Sequence, residues 1–406
     1  MTTHLDPIQL AHAQLEADIR ATARFPDLLQ RKIARMTISS IAFLRGSAEL
    51  FYHVLAVRPD LARGPKGKGW IAGDLHLENF GAYRTDGHSP KSRVVFGMND
   101  FDEAIIAPWR IDVLRLTTSL LLAARGFGLS GKDSTELGFM LLHGYARWSF
   151  RKKPNTKTSV RMPRVVQMLV EQVRTRTRLE LLNARTEIRH GKRTFIRGLR
   201  YRSISAELAR KAQKAFAQYL ETHQITDPGE KEHFEVIDVA QRIAGTGSLG
   251  CLRIALLTKG KGGPNDAFVF DMKEEKASAA ARFGKAPRGE SAARVIAAMR
   301  SSLAHPPRML GSTRIGSTSM LVRRLAPQED KLDLSKASVA DLGAVAAFVG
   351  ACAGDGQARG ATRPPKRSWT DAECEALLDH AIEVAGIHEA AYLAYSRITA
   401  KMAVKR

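Results

Sequence analysis

Gly73-Asp74-Leu75-His76-Leu77-Glu78-Asn79, followed by Asn99-Asp100-Phe101-Asp102-Glu103, is the stretch on which the reading of this chain turns. The first segment sets an Asp and an Asn on one tight run, and the second brings in a further acidic pair. Between them, Asn79-Phe80-Gly81-Ala82-Tyr83 and Val94-Val95-Phe96-Gly97-Met98 read as short strands. Arg84 to Arg93 carries the turn formers Asp86-Gly87 and Ser89-Pro90. A hairpin would therefore return Asp100 toward Asp74 and Asn79. Phosphoryl transfer uses such a set: one carboxylate to orient or deprotonate a hydroxyl, an amide oxygen and a second carboxylate to hold magnesium. Mg²⁺ takes one or two carboxylates plus water and phosphate oxygens, so a sparse Asn/Asp set suits it. The plainer reading makes all three turn or capping residues; their joint spacing favours the first.

These motifs, with Pro108-Trp109-Arg110-Ile111-Asp112, resemble the catalytic core of the protein-kinase-like superfamily in its aminoglycoside and choline phosphotransferase branch. More closely, the run from Phe43-Leu44-Arg45-Gly46 to Arg115-Leu116 is similar to the bacterial family DUF2252, over most of the chain. The resemblance implies that Asp74 is the catalytic-loop Asp and Asn79 the metal-binding Asn. It likewise makes Asp100 the Asp of a DFG-like motif and Asp112 the brace of the catalytic loop, with Asp102 assisting the metal or the loop. The phosphotransferases usually carry His two residues before the catalytic Asp, where this chain has Ala72.

Ala244-Gly245-Thr246-Gly247-Ser248-Leu249-Gly250 contains G-x-G-x-x-G, which fits either a dinucleotide site or a kinase glycine loop. A dinucleotide fingerprint opens a helix, whereas Cys251 to Leu257 reads as a strand. The glycines therefore join two antiparallel strands, where backbone N–H groups can cap a phosphate; a plain Gly-rich hairpin is the alternative. Ala267 to Lys273 is a strand ending in Lys, and a helical run starts at Gly289-Glu290. In the superfamily resembled, a strand Lys pairs with a helix Glu and with the nucleotide phosphates. That implies Lys273 and Glu290 as the clamp, with Glu274 and Glu275 as competitors. Met309 to Ile315 and Ser319 to Leu325 read as two more strands, and Ala326 to Asp330 as a hinge.

The expected fold is α+β: a two-lobed protein-kinase-like fold with a five-stranded small lobe and a mainly helical large lobe. The glycine-loop lobe follows the catalytic segment, and Phe25 to Val57 reads as helical, so the arrangement implied is circularly permuted. The expected divisions are 1–150 for the catalytic part of the large lobe and 151–232 for a basic helical connector. The nucleotide-binding small lobe would span 233–330 and the helical remainder of the large lobe 331–406.

At 406 residues and 44% apolar content the chain can bury a large core and is long enough for two lobes. Met1 to Arg20 lacks a signal-peptide core, and Asp112 to Leu129 is broken by charges, so it reads as a buried helix and no membrane span is expected. Cys251, Cys352 and Cys374 lack metal-ligand spacing and read as reduced, buried thiols of a cytoplasmic protein. No histidine pair with zinc spacing and no G-x-S-x-G elbow is present. The formal net charge of +22 is concentrated in 151–202, from Arg151-Lys152-Lys153 onward. It would attract nucleic acid, an anionic surface or a phosphorylated substrate, or is simply a solvated face. The expectation is an ATP- and Mg²⁺-dependent phosphotransferase acting on an unidentified small-molecule or protein hydroxyl, anionic if the connector selects it. An AMP-transferring enzyme, a nucleotide-binding pseudokinase and a non-catalytic nucleic-acid-binding protein are the alternatives.

Overall fold

Residues 5–85, 94–150, 161–222, 232–261, 263–307, 309–327, 329–332, 334 and 337–404 are described by the structure, a computed structural model. The turn formers Asp86 to Pro90, the triplet Arg151-Lys152-Lys153, Gly262 and the hinge residue Gln328 lie outside the described residues.

Four helices open the chain: Pro7–Thr22, Leu28–Met36, Ser40–Gly46 and Ala48–Val57. The first starts cleanly because Asp6 accepts a bond from Ile8 N–H and Pro7 needs no intrahelical donor there. Its buried Asp18 is fully partnered: Lys32 Nζ at 3.0 Å, Gln14 Nε2 at 2.9 Å and Tyr395 Oη at 2.7 Å. Tyr395 belongs to the long last helix, Asp371–Val404, so this polar node ties the two ends of the chain together.

Arg110–Gly126 is the helix at the centre of the large core, buried at every position from Ile111 to Ala124. Helices Gly131–Ser149 and Asp371–Val404 pack against it, and Val339–Arg359 runs along Gly131–Ser149. Val339–Arg359 starts on a capping box made by Ser338 and Asp341. Among the described residues it is one helix long and apolar enough to cross a membrane, with 61% of its most apolar window buried inside the fold. Of the three free cysteines, all expected to be buried, Cys374 is buried, while Cys251 and Cys352 are only half-buried.

Two three-stranded sheets flank this core. Lys68–Ile71 pairs with Ile105–Pro108 and Ala361–Arg363; Phe80–Arg84 pairs with Val94–Met98 in the register Phe80 to Met98, and with Asp330–Lys331. Asn79, expected to start a strand, instead ends the 3₁₀ turn Leu77–Asn79 just before it.

The larger sheet is antiparallel and has six strands, not five. In spatial order they are Gly311–Ile315, Thr318–Arg324, Phe268–Glu274, Arg253–Thr258, Val236–Arg242 and Tyr201–Arg202. The extra strand comes from the basic connector, which is also less helical than its sequence suggested. Between its helices Arg164–Thr175, Arg178–Asn183 and Ala206–Thr222 it forms a hairpin, Thr186–Arg189 with Lys192–Phe195. Several connector cations face the fold's own carboxylates. Arg197 reaches Asp238 at 2.7 Å, Arg178 reaches Asp266 at 3.4 Å, and Arg176 and Arg202 pair with Asp330 and Asp27.

Side chains alternate across a strand, so the sheet has two chemically different faces. Phe268, Phe270 and Met272 join Ile254, Leu256, Met320 and Val322 under Ala212, Phe216 and Tyr219 of helix Ala206–Thr222. On the opposite face Ala255, Leu257, Val269 and Leu325 pack on Leu182, Phe195 and Tyr201 of the connector. Further along that same face the alternation brings Arg253, Asp271, Lys273 and Arg323 to the cleft.

Candidate functional site

The loop from Ala72 to Asn79 is fixed from several sides. Ala72 and Gly73 donate their N–H groups to Asp112 Oδ2 and Oδ1 at 2.7 and 2.9 Å. Gln357, which accepts from Tyr145 Oη through its Oε1, donates its Nε2 to the same carboxylate at 3.1 Å. Tyr52 Oη donates to the Gly73 carbonyl, and Leu77 N–H donates to Ser119 Oγ. Asp112 therefore holds the loop through its backbone. Burial still raises its carboxyl to about 6, against the pull of these donors.

Gly73 adopts φ +80°, and a Cβ there would sit 2.0 Å from the Glu103 carbonyl oxygen. This close approach is how the Asp74 loop and the Asp100 segment lie against each other. Gly73→Ala should cost at least about 1–3 kcal/mol from the left-handed backbone alone, read as a fall in the urea midpoint. An unchanged midpoint would mean the two segments are free to separate.

Asp74 is gripped by Arg115, a fully buried residue whose Nε donates to Oδ1 at 2.6 Å and whose Nη2 donates to the Leu44 carbonyl. Burial raises the Asp74 carboxyl to about 6; Arg115 opposes the shift and nearby Asp100 adds to it. Asn79 donates its Nδ2 to the Asp74 carbonyl at 2.7 Å, which leaves Oδ1, the atom a cation requires, on the other side of its amide. Asn99 N–H donates to the Asn79 carbonyl, stitching the Asp100 segment to the loop. Asp100 accepts only a long bond at 3.3 Å from Asp102 N–H among the described contacts.

Lys273 comes to this group from a strand 171 residues away and forms an ion pair with Asp102 Oδ2; Glu275 Oε1 lies 3.7 Å from the same ammonium. Asp102 thus gives one carboxylate oxygen, Oδ2, to the lysine. Glu290, expected as the lysine's partner, is elsewhere. It precedes helix Ser291–Ser302, bonds Arg314 at 2.7 Å, and accepts from Ser319 Oγ. The first residue before a helix points at the sheet edge, not back along the helix to the cleft. The helix's buried charged residue is Arg294, whose guanidinium donates to the carbonyls of Asp102, Ala104 and Lys276. It clamps the Asp100 segment to the chain just past Lys273. Glu103 reinforces that junction, accepting from Ala279 N–H at 2.5 Å, while burial raises its carboxyl to about 7.

The glycine loop, Gly245 to Gly250, joins strands Val236–Arg242 and Arg253–Thr258 and starts no helix. It rests on the first helices of the chain: Arg35 donates to the Gly245 carbonyl, and Gly250, at φ +100°, has no room for a Cβ against the Ala21 carbonyl oxygen. Two cavities meet at this point. One, of about 870 Å³, opens beneath the six-stranded sheet, and the other, of about 510 Å³, lies against the N-terminal helices. Asn79, Asp100, Asp102, Gly245, Ser248 and Lys273 line both, whereas Asp74 and Thr246 line only the smaller.

The larger cavity has a charged roof. Arg253 grips Asp271 with Nε at 2.8 and 3.0 Å and Nη2 at 2.5 Å, Arg242 Nη1 lies 2.9 Å from Asp271 Oδ2, and Arg323 Nε lies 3.8 Å away. Burial alone would raise the Asp271 carboxyl, but Arg242, Arg253 and Arg323 reverse this and hold it far below the carboxylate range. Register explains the cluster: Asp271 faces Arg323 and Lys273 faces Arg253 across their strand pairs. The roof, Arg294 and Arg115 escaped sequence reasoning. The one available signal was the alternation Asp271-Met272-Lys273, which puts Asp271 on the same face as Lys273.

The sequence profile of a family described as an uncharacterized protein conserved in bacteria (DUF2252) matches residues 24–398. The chain belongs to the DUF2252 family. No curated protein and no solved structure matches it. The DUF2252 match covers the Asp74 loop, the Asp100 segment, the glycine loop, Lys273 and the whole wall of the larger cavity, whereas the residues from Gln14 to Ala21 that line the smaller cavity precede it.

Proposed function

We propose that this chain is a nucleotide- and Mg²⁺-dependent phosphotransferase with a two-lobed, circularly permuted kinase-like arrangement, acting on a hydroxyl acceptor. The observation that carries the reading is the pair of cavities meeting at Asn79, Asp100 and Lys273, with Asp74 on one side only. Transfer between two bound substrates calls for two compartments sharing the residues that handle the migrating group. In this reading the donor takes the larger cavity and the acceptor the smaller.

The donor set fits magnesium. Among the described residues, no three His, Cys, Asp or Glu side chains converge as a cage. Asn79 Oδ1 and Asp100 offer the one amide and one carboxylate that Mg²⁺ accepts alongside phosphate oxygens and water. The bound cation would offset charge developing on the transferred group. Asp74 orients the acceptor hydroxyl and takes its proton as the oxygen bonds to phosphorus and the bond to the leaving oxygen breaks. Arg115 keeps the Asp74 carboxylate pointed and ionised. Lys273 and the N–H groups of Gly245 to Gly250 hold the phosphates.

Asp100→Ala should abolish the Mg²⁺-dependent part of ATP binding, because few groups substitute for a carboxylate on this ion. Asn79→Ala should weaken it less. Calorimetric titration with and without Mg²⁺ reads both, and Mg-ATP binding unchanged in the two variants removes the metal assignment. Asp102→Asn should affect Lys273 more than the metal, given their ion pair.

A further inference from the structure

The face of the sheet that roofs the larger cavity carries three guanidiniums and one carboxylate. Asp271 and, at 3.9 Å from Arg323, Glu329 can neutralise two of them, so the roof keeps one positive charge in excess. The donors are also in excess. One carboxylate offers about four acceptor sites and three guanidiniums present fifteen N–H groups. Arg253 takes the bidentate position. Arg242 Nε is buried without a hydrogen-bond partner while its Nη1 lies 2.9 Å from Asp271 Oδ2, and Arg323 stands 3.8 Å from Asp271 and 3.9 Å from Glu329. A purine prefers an apolar slot with a few placed polar groups, whereas forked guanidiniums in a partly desolvated cavity match phosphate oxygens.

We propose that Arg242, Arg253 and Arg323 form a second phosphate site in the larger cavity, separate from the phosphate handling at Lys273 and Asp100. The inference rests on the phosphotransferase reading and names the substrate class more closely: a ligand bearing a phosphate at its inner, sheet-side end. That phosphate belongs either to the tail of the nucleotide, lying with its phosphates inward, or to a second phosphorylated ligand beside it. Asp271 holds the guanidiniums together against their mutual repulsion when the site is open.

The test uses the full chain, sodium tripolyphosphate, adenosine and ATP in calorimetric and thermal-shift titrations, with Arg323→Gln as the variant. Arg323 is the outermost member and its loss leaves the Arg253–Asp271 pair intact, so the variant should melt like the parent without ligand. Tripolyphosphate should bind the parent, and Arg323→Gln should weaken that binding by about tenfold or more, the worth of one charge-assisted contact. Displacement of ATP by tripolyphosphate assigns the phosphate to the nucleotide's own tail. Binding of tripolyphosphate alongside ATP assigns it to a second ligand. If adenosine competes with ATP as well as tripolyphosphate does, or if Arg323→Gln leaves every anion's affinity within twofold, the second site is overturned. A parent that binds neither ATP nor any of these anions overturns the phosphotransferase reading as well. ATP binding that needs Asp100 but ignores Arg323 overturns this inference alone.

Discussion

Asp74→Asn is expected to lower Mg-ATP turnover, to an acceptor or to water, by about 10²- to 10⁴-fold while leaving ATP affinity close to the parent's. The split follows from position. Asp74 lines the smaller cavity and is absent from the walls of the larger one, so its loss should fall on the chemical step and not on donor binding. Asn preserves the shape and can still accept the Arg115 bond, which makes misfolding a poor explanation for lost turnover. The pH profile supplies a second readout. A base must be ionised to work, and burial puts the Asp74 carboxyl at about 6. Turnover should therefore rise with pH through about 6, and this acid limb should vanish in the variant. Turnover equal to the parent's, with the limb intact, would place the base elsewhere.

Much of this loop was legible because its chemistry is local in sequence. Asp74 and Asn79 lie close together in sequence, and the strand pair Phe80–Arg84 with Val94–Met98, expected as two short strands, returns the chain to Asp100. Helices Val339–Arg359 and Asp371–Val404 lie in the stretch 331–406 that was expected to be helical. What escaped was set by distant partners. Arg115 reaches Asp74 across 41 residues and Arg294 reaches Ala104 across 190, and nothing in an arginine's neighbours reports which carboxylate or carbonyl it will meet. Glu290 was set beside Lys273 by the Lys–Glu pattern of the superfamily resembled, whereas its carboxylate bonds Arg314 and Ser319. The strand Tyr201–Arg202 is two residues long, too short for any period, and exists because Val236–Arg242 offers it an edge. The connector hairpin was hidden by its many cations, which read as a solvated helix until their carboxylate partners are known.

Asp271→Ala should be the most damaging substitution in the six-stranded sheet. Asp271 is 1% exposed and receives Arg253 and Arg242 directly. Deleting one partner of a buried ion cluster leaves uncompensated charge, with a typical cost of about 3–5 kcal/mol. Here the cost includes repulsion among three guanidiniums that the carboxylate had held together. The unfolding free energy should fall by that amount, read as a lower urea midpoint with the slope unchanged, since the fold's exposed area on unfolding is the same. Asp271→Asn, which keeps an acceptor but no charge, should fall between variant and parent. A loss below about 1 kcal/mol would mean that the arginines turn outward to solvent and that the roof is not a fixed array. The charge argument also gives the variant a signature that ordinary cavity formation lacks. An anion that enters the cavity replaces the missing carboxylate, so tripolyphosphate should raise the melting temperature of Asp271→Ala by more than it raises the parent's.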